Sequence, residues 1–286
     1  MTNVIDLPYG FTPRGYQMPA INAVLNEGIR NVLLVWHRRA GKDKADWNIL
    51  IAQALTRVGN YFYVFPEIGQ GRKAIWLGID KSGMAFLDHI PADLIKRKNS
   101  TEMRLELVNG STIQFVGANR YDNLVGTACC GMVFSEYAIQ NPMALELLKP
   151  CLNENKGWLL INTTPRGHNH AYKLYQKVKD NPLWHTEMLT VLDTYDETGE
   201  RIVSDEMIEE DKSILSVERI RQEYFCDWDV ALENAYFARC LRKAEEDGRI
   251  EDFDFDARLP VHTFWDLGVA DSMAIWFVQF EKNRIY

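Results

Sequence analysis

The chain has 286 residues, 47% of them hydrophobic and 25% charged, with a formal net charge of −8. That length and composition suit a globular protein of roughly two domains with a sizeable core, and no run approaches the ~18 apolar residues of a membrane helix. An acidic chain is not built for generic nucleic-acid binding, but its charge is uneven: residues 1–120 hold 15 Lys and Arg against 10 Asp and Glu, and the remainder 17 against 30.

Residues 1–6 lack the basic and apolar regions of a signal peptide. Residues 16–27 read as a helix, with Pro19 tolerated in its first turn. Residues 31–36 form a strand that leads into His37-Arg38-Arg39-Ala40-Gly41-Lys42-Asp43. A helix follows over 44–57, with Trp47, Leu50, Ile51 and Leu55 at helical spacing. Strand, glycine turn, lysine and helix come in the order a phosphate-binding P-loop requires: the glycine admits backbone N–H groups to an anion and the lysine neutralises it. The segment departs from G-x-x-x-x-G-K-[ST] at both ends, with Trp36 in place of the first glycine and Asp43 in place of the hydroxyl. Taken alone, it also fits an ordinary strand-to-helix turn.

Residues 61–65 are a strand, a helical stretch follows near 71–78, and a polar and apolar mixture runs to 100. Asn109-Gly110 between 103–108 and 112–116 predicts a hairpin. Strand 132–135 delivers Phe134-Ser135-Glu136-Tyr137. A carboxylate at such a strand end polarises an attacking water, and the residue before it, usually Asp, helps hold magnesium. Here that residue is Ser135, so the two segments deviate in opposite senses. Exchanging hydroxyl and carboxylate still leaves Mg²⁺ two oxygen ligands: Asp43 as the anionic one, directly or through water, and Ser135 as the neutral one.

Helix 142–153 and strand 158–162 come next. The strand breaks into Thr163-Thr164-Pro165-Arg166-Gly167, placed where strand ends of a parallel sheet meet ligand. The two threonines read as γ-phosphate sensors or as a plain turn. Helix 169–179 and strand 184–191 complete an α/β pattern, a mostly parallel sheet with helices on both faces. Residues 204–247 are polar and helical, and 248–260 are an acidic linker ending at Pro260. Cys129, Cys130, Cys151, Cys226 and Cys240 lack Cys-x-x-Cys spacing and read as reduced thiols of a cytosolic protein. His168 and His170, flanking Asn169, read as a helix start rather than a zinc site, and His37 as a packing or phosphate-neighbour residue.

Several segments together resemble one family, the terminase large subunit of tailed bacteriophages. They are Arg14-Gly15-Tyr16-Gln17, the loop 37–43, Asn109-Gly110-Ser111, Tyr121-Asp122-Asn123-Leu124-Val125-Gly126, Phe134-Ser135-Glu136-Tyr137-Ala138 and Thr164-Pro165-Arg166-Gly167-His168-Asn169-His170. The resemblance is strong over 9–195 and weaker to the end. It implies a RecA/ASCE-like P-loop ATPase domain over 1–200, a helical and acidic linker over 201–257, and the first strands of an RNase H-like nuclease domain over 258–286. It also implies roles for individual residues. ATP and Mg²⁺ are held by Arg38, Ala40, Gly41, Lys42 and Asp43, with Ser135 on the metal. Lys42 meets the β- and γ-phosphates, Glu136 acts on water, Tyr16 and Gln17 recognise adenine, and Thr163 and Thr164 couple hydrolysis to movement. Many relatives carry an arginine finger where this chain has Val125, so Arg39, Arg120 and Arg166 are the candidates for that role, each with a structural or DNA-facing alternative. Asp266, in the strand-like run 263–271 that precedes Ala274-Ile275-Trp276-Phe277, is the implied nuclease metal ligand. Two-metal cleavage needs further carboxylates, so no nuclease activity is expected of these 286 residues.

The implied function is ATP-driven packaging of double-stranded DNA into a procapsid. It would take place in the host cytoplasm with a portal protein, a small terminase subunit and a homo-oligomeric ring, and without a membrane. A helicase-like nucleic-acid-stimulated ATPase is one alternative, although 196–286 hold no second set of ATP motifs. A non-hydrolysing scaffold with a vestigial P-loop is another, favoured by Trp36 and Asp43 and opposed by Lys42 and Glu136.

Overall fold

Side chains alternate across a strand, and in β1 (Asn31–Trp36) this sends Val32, Leu34 and Trp36 to one apolar cluster and Leu33 and Val35 to another. All five are fully buried, as expected of a parallel strand covered on both faces. Each such side chain contributes roughly 1.5–3 kcal/mol of burial. The computed structural model describes residues 9–229, 240, 243–244, 247–249, 255–267, 273–281 and 284–285.

In chain order, α1 (Met18–Leu25) precedes β1, and α2 (Lys42–Thr56) follows it. Then come β2 (Asn60–Phe65), α3 (Ile68–Gly71), β3 (Ile95–Asn99), β4 (Arg104–Leu107), β5 (Thr112–Gly117) and β6 (Gly131–Phe134). α4 (Pro142–Leu148), β7 (Trp158–Thr163), α5 (His170–Val178), β8 (His185–Leu189), α6 (Asp205–Lys212) and α7 (Val217–Phe225) complete the first part of the chain. Eight strands form one sheet in the order β3-β4-β5-β2-β6-β7-β1-β8. The run from β5 to β8 is parallel, while β3 and β4 are antiparallel additions. Ala20, Val24, Trp47 and Leu50 of α1 and α2 cover one face, and Ala144, Leu148, Ala171 and Val178 of α4 and α5 cover the other. This is the expected α/β architecture, a mostly parallel P-loop-type sheet between helical layers.

The order places the tips of β1, β7 and β6 side by side. The crevice beyond the carboxyl ends of parallel strands is the usual ligand position in such sheets. The expected hairpin is present as β4 and β5. Gly110 has φ +94° in its turn, and the Asn109 amide donates to the Ala54 and Leu55 carbonyls near the end of α2. β3 was not anticipated. It is an edge strand exposing Lys96, Arg97 and Lys98, and charges that keep an edge from pairing also erase the apolar alternation that identifies a strand.

The expected domain boundaries need one correction. The chain divides into compact units Met1–Glu233 and Asn234–Tyr286, so the residues just after 200 are part of the first unit and not a linker. Ile208, Ile220 and Tyr224 of α6 and α7 are buried against Val191 and Val203. The Arg38 N–H donates to the Glu223 carbonyl at 2.8 Å, and the Val191 N–H to that of Tyr224 at 3.0 Å. In the second unit, β9 (Val261–Asp266), β10 (Ala274–Glu281) and β11 (Arg284–Ile285) form an antiparallel sheet in the order β11-β10-β9, with Phe264 opposite Trp276. Phe264, Trp265, Trp276 and Phe277 are exposed there.

The stretch between α3 and β3 is fastened to α2 by a buried carboxylate. Asp80 accepts from Lys44 Nζ at 2.5 Å, from the Ser82 N–H and hydroxyl at 2.8 and 2.5 Å, and from the Met84 N–H at 3.1 Å. Burial alone would raise its pKa, but these donors outweigh burial and hold the carboxyl below the usual range. A carboxyl depressed in the folded state stabilises it above the ordinary carboxylate pKa of about 3.9, and that stabilisation is lost as pH falls through the folded value. Asp80→Asn should therefore destabilise the protein by roughly 1–3 kcal/mol at neutral pH. In urea unfolding, the gap from wild type should narrow below about pH 4; a gap independent of pH would show that the charge is not what fastens this loop.

Candidate active site

The loop between β1 and α2 turns through two left-handed residues, Arg39 at φ +76° and Gly41 at φ +77°. Gly41 is the N-cap of α2, and a Cβ there would lie 3.0 Å from Gln17 Nε2, so the backbone conformation and the close approach both favour glycine. Below the loop, the Tyr16 hydroxyl donates to the Ala40 carbonyl at 2.8 Å. Gln17 Nε2 approaches the Ala40 and Gly41 carbonyls at 3.2 and 3.4 Å, while its Oε1 accepts the Arg14 N–H at 3.0 Å. Tyr16 also meets Trp36 edge to face. Where the sequence predicts a base-reading pair, the polar atoms of Tyr16 and Gln17 brace the loop itself. His37 is fully buried, with Nδ1 2.6 Å from the Arg38 carbonyl and Nε2 2.7 Å from Thr194 Oγ1. A carbonyl only accepts, so Nδ1 carries the proton. Burial, with some help from the Lys42 charge, pushes the imidazole down to about 4, and His37 is a neutral packing residue.

Lys42 opens α2, where unpaired N–H groups and the helix dipole favour an anion. Its ammonium donates to the Trp36 carbonyl at 3.2 Å and to Thr164 Oγ1 at 2.9 Å, and lies 3.4 Å from Glu136 Oε1. The tips of three strands therefore meet at one charge: β1 through the loop, β7 through Thr164, and β6 through Glu136. Thr163 faces the other way, its hydroxyl accepting the Ala138 N–H at 3.0 Å and donating to the Thr164 carbonyl at 3.1 Å. Glu136 itself is left-handed at φ +56° and ψ +48°. For a non-glycine residue that costs on the order of 1–3 kcal/mol and is typical of sites where surrounding structure imposes the conformation.

Asp43 and Ser135, the two exchanged positions, touch. The Ser135 hydroxyl donates to Asp43 Oδ1 at 2.7 Å, the Tyr63 hydroxyl to the same atom at 2.9 Å, and Asn162 Nδ2 to it at 3.3 Å. Burial first, and then the Asp43 charge, holds the Tyr63 phenol protonated and well above its usual range. A carboxylate oxygen with a hydroxyl behind it is a hard donor set of the kind magnesium takes. Asp43 borders the cleft, whereas Ser135 is fully buried, so the hydroxyl stands behind the carboxylate and not beside it. Of the two residues expected to serve a cation, Asp43 directly or through water and Ser135 as the neutral oxygen, Asp43 is the one that borders the cleft.

The cleft over the loop has a volume of about 680 Å³ and is bordered by Arg14, Arg38, Arg39, Lys42, Asp43 and Glu136. That size is within the range of roughly 300–1,000 Å³ usual for small-molecule sites. An adjoining cleft of about 1040 Å³ shares Arg14, Arg38 and Arg39 and adds Arg166 and Glu223. Of the three arginine-finger candidates, Arg39 borders both clefts. Arg166 donates to Glu223 Oε1 at 2.7 Å, and Arg120 borders a separate groove on the sheet. The Asn169 side chain accepts from the Ala171 and Tyr172 N–H groups and caps α5, and His170 contacts the Tyr137 carbonyl at 2.8 Å, as expected of a helix start. In the second unit, Asp266 ends β9 opposite Ala274. No group of three or more metal-ligating side chains occurs among the described residues, and 268–271 of the predicted nuclease strand lie outside them.

No protein-family model matches the chain. The terminase large subunit of Escherichia phage T5 is 27% identical over 227 residues, covering 77% of this chain and 49% of that protein. The large-terminase ATPase domain of Thermus phage P74-26 superposes with a TM-score of 0.59 at 19% identity, covering 77% of this chain and 95% of that one. Over about three quarters of its length this chain is similar to terminase large subunits. The large terminase of the thermophilic bacteriophage D6E, solved with ADP, superposes with a TM-score of 0.62 at 14% identity, over 96% of this chain and 66% of that one. The two solved terminases share its fold, and it spans about half the length of its curated T5 relative. The sequence pattern did not single out Asp46, Asn162 or Glu223. Asp46 carried a signal: an acid one turn before Ile49 and Leu50, in a helix whose buried residues are mostly apolar.

Proposed function

We propose that the chain is the ATP-hydrolysing motor of viral genome packaging, driving double-stranded DNA into a procapsid from a homo-oligomeric ring on the portal, in the host cytoplasm and with a small terminase subunit as partner. The approach of Lys42 to Glu136, 3.4 Å across the tips of three strands, carries the reading. A vestigial loop has no reason to keep a half-exposed carboxylate in a left-handed backbone beside a buried lysine.

In the proposed mechanism the α2 N–H groups and Lys42 hold the β- and γ-phosphates. Arg38 and Arg39, on the cleft rim, add positive charge, and Arg39 is the arginine best placed to meet charge developing on the γ-phosphate. Tyr16 and Gln17 act by fixing the carbonyls of Ala40 and Gly41. Glu136 takes a hydrogen bond from the attacking water and orients it. Magnesium, when bound, neutralises phosphate charge; Asp43 would hold it, with Ser135 acting through Asp43. As contact between Thr164 and the phosphate side changes, Thr163 and the turn 165–167 shift. By analogy with terminases, Asp266 belongs to a nuclease strand.

For the DNA we propose the β3 edge, where Lys96, Arg97 and Lys98 are exposed beside Arg104. Such a local basic strip lets an acidic chain meet phosphates. Arg97→Glu/Lys98→Glu should remove most of the DNA-stimulated increment in ATPase rate and lower the salt slope of DNA affinity by about one for each phosphate that is no longer neutralised. An unchanged slope would place the duplex elsewhere. The reading as a whole is tested by ATP turnover with and without duplex DNA. Absence of turnover would leave the scaffold reading.

A further inference from the structure

We propose that Asn162 and Asp46 form a positioning couple that sets the reach of Glu136 over the P-loop; the inference rests on the ATPase reading above. Asn162 lies in β7, next in the sheet to both β1 and β6, and is fully buried. An amide offers two N–H donors and a carbonyl acceptor, and here all are engaged. Nδ2 donates to Asp46 Oδ2 at 2.5 Å and to Asp43 Oδ1 at 3.3 Å, while Oδ1 accepts the Glu136 N–H at 3.0 Å. One side chain thus ties the first turns of α2 to the backbone of the water-orienting residue. The bond falls on the residue with the left-handed backbone, the conformation most in need of an outside hold.

Asp46 keeps Asn162 from turning. If the amide flipped, its oxygen would face two carboxylates and its NH₂ the Glu136 N–H, so the acid selects the orientation in which the Glu136 N–H is accepted. Asp46 is fully buried, its Oδ1 has no hydrogen-bond partner among the described residues, and it stands on a helix face whose neighbours include Trp47, Ile49 and Leu50. Burial pushes its carboxyl well above the usual range, and the bond donated by Asn162 acts against that rise by favouring the charged form. An apolar residue there would avoid a half-satisfied polar group, and Asp46 does not border the cleft over the loop. What remains for Asp46 is to orient Asn162.

ATP turnover and MgATP affinity of the full chain, with melting temperature as a fold check, test the couple in Asp46→Leu, Asp46→Asn and Asn162→Ser. Asp46→Leu should lower kcat at least about tenfold while the Kd for MgATP moves less than about threefold, the mark of an interaction felt in the transition state and not in binding. Asp46→Asn, whose carbonyl still accepts from Asn162, should recover most of the loss. Asn162→Ser should reproduce the kcat defect and carries the test if Asp46→Leu does not fold. Wild-type turnover with unaltered kcat in Asp46→Leu or Asn162→Ser overturns the couple alone, as does an equal loss of kcat and affinity. A wild-type chain that binds MgATP without turning it over overturns both readings.

Discussion

Glu136→Gln is expected to lower ATP turnover by about 10²–10⁴-fold, the usual worth of a positioned group acting on a transferred proton, and to leave MgATP affinity nearly unchanged. The amide keeps the size of the carboxylate and its hydrogen bonding to water, but it no longer carries a charge to polarise that water or to face Lys42, 3.4 Å away. Nucleotide binding rests on the loop, on the start of α2 and on Lys42, whose bonds to the Trp36 carbonyl and Thr164 Oγ1 remain when the Glu136 charge is removed. Single-turnover kinetics together with a direct binding assay separate the two effects. Equal losses of binding and rate would instead make Glu136 a structural counter-ion of Lys42.

The second large effect concerns the exchanged pair. Asp43→Ala should raise the Kd for MgATP at least about tenfold, roughly 1.4 kcal/mol, with little change in affinity for ATP without magnesium. Ser135→Asp should do comparable harm by a different route, because it sets two carboxylates where Ser135 Oγ and Asp43 Oδ1 now lie 2.7 Å apart. The double variant Asp43→Ser/Ser135→Asp should recover much of the loss, since one hydroxyl still donates to one carboxylate with the direction of the bond reversed. Such recovery is the signature of direct coupling between neighbours. Additive damage in the double variant, or an Asp43→Ala protein that still requires magnesium for tight binding, would remove Asp43 from the metal's surroundings.

The parallel strands could be read from sequence because a strand covered on both faces is a continuous apolar run: residues 31–36, 61–65 and 158–162 all appear in the sheet within a residue of their predicted ends. β3 could not, because Lys96, Arg97 and Lys98 serve its exposed edge and break the alternation. Residues 201–229 looked like a linker because α6 and α7 are mostly polar. Only a few side chains, Ile208, Ile220 and Tyr224 among them, join them to the body. In the site, the opposite departures at Asp43 and Ser135 singled out two residues that the fold places in contact. Their relative depth was not legible, since it depends on how α2 lies across the tips of β6 and β7. Asn162 and Asp46 were missed for a related reason: 116 residues separate them, and no local spacing relates a strand residue to a helix that only the sheet order brings above it.

Glu223 has a mechanical consequence. Its carboxylate, only 5% exposed, takes Arg166 at 2.7 Å from one wall and lies 3.7 Å from Arg38 on the nucleotide loop and 3.6 Å from Arg219 on its own helix. Pulling Arg166 away would leave the nearly buried Glu223 charge with only the more exposed Arg38 and Arg219 to answer it, a cost that solvent at those arginines partly offsets. The turn 165–167 and the α6–α7 pair are therefore geared together, and a displacement of either one drags its neighbour before the joint gives way.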